Sequence, residues 1–200
     1  MSVQETRMTY DLLDSDLSAV LAEARLVAEE TSRAFGHLSA EQINWKPSAA
    51  EWSIGQCFDH LIISNRPFFT IIDEVRQGSR RQRIWERMPL FPRLCGRLLI
   101  RTLRPDSGRK VKARPALYPS SSHLAPGIIS DFLEQQDRLL RLIESTRGQD
   151  LDRTTITSPV VSLITYSLMD AYRIIVVHEQ NHFVQARRVM ESPGFPSSTR

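Results

Sequence analysis

Five histidines hold most of the chemical potential of this 200-residue sequence, and three of them are spaced as ligands. His178 and His182 are four residues apart. On a helix both rings then project from one face, one turn apart. That face also carries Ala171, Ile174, Ile175, Gln185, Ala186 and Val189, the pattern of a core-facing stripe. Two imidazoles on an apolar face need partners. A divalent metal supplies one solution, and neutral imidazole suits Zn²⁺, Ni²⁺ or Fe²⁺. His60, about two turns into another amphipathic segment, is the candidate third ligand. Two ligands from one helix and one from another leave positions open for water or substrate. Gln185, three residues beyond His182, can orient a ligand or hydrogen-bond a bound water. The competing reading is three ordinary histidines, satisfied by hydrogen bonds or solvent.

The acids near these rings are ambiguous. His178-Glu-Gln-Asn-His182 matches H-E-x-x-H letter for letter, which would make Glu179 a general base in a zinc peptidase. Only 18 residues follow His182, without a histidine and with Glu191 as the one acid, so the downstream third ligand of such enzymes is missing. Glu179 and Asp59 therefore read as a base or, more simply, as solvated or salt-bridged charges. Cys57, three residues before His60, reads as a small buried residue, with a fourth ligand or redox-sensitive neighbour as the alternative. Trp45 and Trp52 flank the start of the second helix, where they cap the core end or stack on a ligand. His37 and His123 fall in loops.

Four long helical segments must position these groups. The first runs over about 14–35, with Leu17, Val20, Leu21, Ala24, Val27 and Ala28 at helical spacing. The second starts near Ser53, where Ser53-Ile-Gly-Gln56 fits a capping box, and Pro67 is expected to kink it. The third opens at Pro126 and stops near Gly148. The fourth starts near Ser167 and runs to about Met190. No strand pair is expected. This is an all-α pattern, a four-helix bundle. Its nearly fifty-residue linker is too long for a hairpin, so it crosses the bundle and lets the second and third helices run the same way. A short extra helix within 84–103, broken by Pro89 and Pro92, fits inside the linker. Residues 1–192 read as one domain and 193–200 as a frayed tail.

Composition adds a charge asymmetry. Residues 79–115 hold 12 of the 26 Lys and Arg against two acids, Glu86 and Asp106, while the remainder has 14 basic and 21 acidic residues. With 41% hydrophobic and 24% charged residues, the chain is neither disordered nor a disulfide scaffold. There is no bilayer-length apolar run, no leader pattern and no Cys-x-x-Cys spacing, so a cytoplasmic location is expected.

The segment Asn44-Trp-Lys-Pro-Ser-Ala-Ala-Glu-Trp-Ser-Ile-Gly-Gln-Cys-Phe-Asp-His60-Leu resembles the signature stretch of the DinB/YfiT-like superfamily. His178-Glu-Gln-Asn-His182-Phe-Val-Gln185 is similar to its closing motif, and Lys112-Ala-Arg-Pro with Pro119-Ser-Ser-Ser and Phe132-Leu-Glu-Gln-Gln-Asp also look familiar from it. The resemblance covers roughly 10–192. It implies a DinB-like four-helix bundle with a long crossover and a divalent metal on His60, His178 and His182. Characterised members of that group include transferases and isomerases that use low-molecular-weight thiols. The expectation is thus a metal-dependent enzyme, a thiol S-transferase acting on electrophilic small molecules. A metal-dependent hydrolase, or a non-catalytic stress-response or binding protein with a structural metal, is the alternative. On this view Arg93 and Arg97 of the basic crossover form a lid that holds an anionic thiol or substrate. Other readings of the crossover are a contact with an anionic membrane surface, phosphate contacts without a base-reading module, or simple packing on the acidic body. A homodimer through a helix face is also an expectation.

Overall fold

A computed structural model describes residues 8–81, 86, 91–108, 113–161 and 164–197, with only the backbone of 91–93. Four long helices form the body: α1 (Leu17–Phe35), α3 (Ile54–Arg76), α5 (Ile128–Glu144) and α6 (Leu168–Met190). Two shorter ones, α2 (Ala40–Asn44) and α4 (Phe91–Leu103), and a hairpin of β1 (Thr155–Thr157) and β2 (Thr165–Ser167) complete it. The helix starts are set by local chemistry. Asp16 accepts from the Ala19 amide at 2.8 Å and Ser167 from the Asp170 amide at 3.0 Å. Ser53 and Gln56 exchange hydrogen bonds as the expected capping box, which satisfies donors that would otherwise be orphaned at a buried helix end.

Two layers of core fix the helix directions. One cluster gathers Leu12 to Ala24, Phe68 to Ile72, Leu139 and Ile143, and Leu168 to Val177. The other gathers Val27 to Phe35, Ile54 to Ile62, Ile128 to Phe132, and Phe183 to Val189. So α1 and α6 run from the first layer to the second, while α3 and α5 run back. α1 and α3 each pack against both α5 and α6. The bundle is all-α in its architecture, and α3 and α5 run the same way as neighbours, which only a long crossover permits. That crossover lays α4 across α6 and β2. Gly96 makes the close approach possible, since a Cβ there would lie 2.8 Å from Asp170 Cγ and 2.9 Å from its Cβ.

Two expectations need correction. The strand pair exists, with Ile156 opposite Tyr166 in antiparallel register; three-residue strands are too short for an alternating pattern to stand out. The tail is docked at its start. Phe195 packs edge-on against Trp45 at 5.6 Å, and Gln42 donates to the Pro196 carbonyl at 2.9 Å. As expected, the second long helix, α3, runs on past Pro67, and it ends at Arg76. The piece of the linker at 84–90 lies outside the described residues except Glu86, whose carboxylate accepts from Arg80 at 2.5 Å and from the Thr157 amide at 2.8 Å, tying the crossover to β1. No helix among the described residues is long and apolar enough to cross a membrane.

Candidate metal centre

His60 reaches the centre from the second turn of α3, and His178 and His182 from the antiparallel α6. His60 Nε2 lies 3.2 Å from His178 Nε2, which lies 3.1 Å from His182 Nε2. One ligand atom from each ring falls within 4.8 Å of the others. The return leg of the crossover sets the orientation. A 3₁₀ turn at Pro115–Leu117 presents the Leu117 carbonyl 2.6 Å from His60 Nδ1. Nδ1 must donate there, so the Nε2 lone pair is directed at the other two rings. Asp59 takes the Ser120 amide and Gln56 donates to the Ser121 carbonyl, which fixes that leg to the same face of α3.

Three ring nitrogens facing one another cannot all be satisfied by the protons available. The His60 tautomer leaves a lone pair, and one N–H on His178 cannot serve both neighbours. His182 Nδ1 is buried without a hydrogen-bond partner. A shared cation satisfies all three lone pairs, so the donor set fits a divalent metal of the imidazole-binding kind. The rings are also held in the unprotonated form that ligation needs. Burial lowers the pKa of all three: His60, against the pull of the Leu117 carbonyl and Asp59; His178 well below its usual value, helped by His182 and His60; and His182 to about 3, helped by His60 and opposed by Gln185.

Trp52 walls the site, its ring 5.0 Å from His60 and stacked 5.8 Å from His182. Of the two tryptophans, this one faces the imidazoles while Trp45 packs on the tail. The centre opens on a cavity of about 1120 Å³ whose lining includes Trp52, all three histidines, Asn181, Gln185 and Arg188.

Other sequence candidates lie elsewhere. Glu179 is fully buried and accepts from Asn65 Nδ2 at 2.7 Å and Gln136 Nε2 at 2.8 Å. It is engaged inside the bundle and is not among the cavity-lining residues, so it is not a solvated charge. Burial pushes its pKa up to about 8 despite the two amide donors. Gln136 also donates to the Ala24 carbonyl, so this polar layer joins all four long helices. Asn65 and Gln136 escaped the sequence reading because nothing in their spacing ties them to residue 179. Cys57 is buried in the second core cluster, where burial raises its thiol pKa, and it is not part of the ligand group. Arg97 pairs with Asp14 at 3.0 Å and is not among the cavity-lining residues, so it forms no lid there; the Arg93 side chain lies outside the described residues. Among the described residues, the arginines that line the cavity are Arg114 and Arg188. His37 and His123 are exposed.

The fold and its three-histidine group define a helical bundle able to hold a metal ion between α3 and α6. The sequence profile of the DinB superfamily matches residues 23–186, and the chain belongs to that superfamily. It is similar to the uncharacterized protein YuaE of Bacillus subtilis (strain 168), 27% identical over 174 residues that cover 86% of this chain and 96% of that protein. No solved structure matches it.

Proposed function

We propose that this chain is a metal-dependent S-transferase that activates a low-molecular-weight thiol at the three-histidine centre and joins its sulfur to an electrophilic small molecule. One observation carries the reading: three lone pairs converge on the wall of a cavity large enough for two small reactants. A structural metal site is usually closed by four protein ligands. Here three histidines form the group and one side faces the cavity.

A bound divalent ion would make the thiol react as its thiolate. The chain's own residues do the rest. Leu117 holds the His60 tautomer, and Trp52 gives the site an apolar wall that keeps water from one side. Asn181 and Arg188, whose side chains have no partner among the described residues, can bind the polar body of the thiol. In the transfer the S–H proton goes to solvent, a sulfur–carbon bond forms, and the leaving group departs with its electron pair. Hydrolysis with Glu179 as base is disfavoured, because both carboxylate oxygens are engaged inside the bundle.

The test is metal analysis of purified protein followed by turnover of monobromobimane with a panel of thiols. Turnover should vanish with chelator, return with metal, and fall more than about 100-fold in His178→Ala. Activity that survives this substitution would overturn metal-centred chemistry.

A further inference from the structure

The cavity has two unlike halves. Its floor is one stripe of α6, from Ile174 and Ile175 through His178, Asn181, His182 and Gln185 to Arg188, with Ser192 just past the helix end. Fifteen helical rises of about 1.5 Å separate Ile174 from Val189, about 22 Å, and the histidines sit between these ends. Beyond His182 the lining from this stretch of chain is Gln185, Arg188, Val189 and Ser192, mostly polar, and Asn181 stands beside the histidines. On the other side, toward the first core layer, it is Phe68, Leu99, Leu103, Val160, Ile174 and Ile175. Phe68 lies two turns past His60, so this arm extends about 12 Å from the centre.

Three of the polar groups that line this arm are already engaged. Ser64 Oγ donates to the His60 carbonyl at 2.8 Å, Asn65 is held on Glu179, and Ser158 Oγ accepts from the Val161 amide at 3.0 Å and bonds the buried Tyr166 hydroxyl. A ligand there meets mostly hydrocarbon, with Arg114, whose guanidinium donates to the Val160 carbonyl at 3.0 Å, at the rim. The roof is Leu99 and Leu103 of α4, which the Gly96 contact with Asp170 holds down on α6.

We infer that this arm is a subsite for an alkyl chain or aryl group, so that the electrophile is a molecule whose reacting atom carries a sizeable apolar substituent. The claim about the reacting atom rests on the transferase reading; the claim about the subsite does not. Burying apolar surface in such a slot favours each added methylene by about fourfold in affinity.

Displacement of a dansyl-labelled undecanoate by n-alkyl carboxylates of six to fourteen carbons tests this, on chelator-treated and on zinc-loaded full-length protein. Affinity should climb with chain length in the chelator-treated protein until the arm is filled. Val160→Trp, on the arm's rim, and Leu103→Trp, in its roof, should each weaken the longest chains at least tenfold and leave the shortest chains and zinc stoichiometry unchanged; two variants on separate elements guard against one misfolding. Affinity independent of chain length, or a slope unaltered in both variants, overturns the subsite. Loss of zinc binding with the slope intact defeats only the metal reading, and loss of the slope with zinc retained defeats only the subsite.

Discussion

Residue 60 shows how much a neighbour decides. Its type and spacing mark it as a ligand, but the Leu117 carbonyl, 57 residues away, directs its lone pair at the centre. The two histidines of α6 were legible from i,i+4 spacing, whereas the role of Glu179 was not, because it depends on amides from α3 and α5. These buried groups set a pH response for the metal-free protein. The histidines have lowered pKa values, so the unfolded chain takes up more protons below about pH 6.5, and stability falls as pH drops through that range. Glu179, raised to about 8, acts oppositely: the folded state holds its proton longer, and stability falls as pH rises from about 4.5 to 8. Three histidines outweigh one acid on the acidic side. Urea midpoints of chelator-treated protein should therefore peak near pH 6.5, and Glu179→Gln should flatten the decline above it. A midpoint rising steadily from pH 6.5 to 8 in the parent protein would contradict this.

Among the elements, the long helices were readable because caps and apolar periodicity agree. Ser53 with Gln56 and Ser167 with Asp170 mark starts that the backbone uses. The hairpin and α2 were not, since three to five residues carry too little pattern. The position of α4 was hidden for a different reason: it depends on the absence of a side chain at Gly96. Gly96→Ala should lower stability by about 1–3 kcal/mol, as overpacking does, because the nearest atoms belong to Asp170, whose carboxylate is also held by Arg173 at 2.8 Å. Chemical denaturation would measure it, and a loss under 0.5 kcal/mol would mean that α4 is not pressed against α6.

For the whole molecule, the charge asymmetry resolves into contacts. Arg97 and Arg104 of the crossover meet Asp14 and Asp11 of the body, and Arg80 pairs with Glu86 within the crossover itself, so part of the basic segment is neutralised by the body on which it lies. The exposed face of α4 keeps Leu94 and Leu98 at 70% and 59% exposure. Replacing both with Ser should change stability by no more than about 0.5 kcal/mol each, checked by thermal melting; a larger loss would show that this face is covered. One further consequence concerns synthesis. The rings of His60 and His178 come from positions 118 residues apart, and the second belongs to the last helix. A nascent chain therefore has no complete claw for an ion until α6 has left the ribosome, and products terminated before α6 should emerge unable to sequester metal.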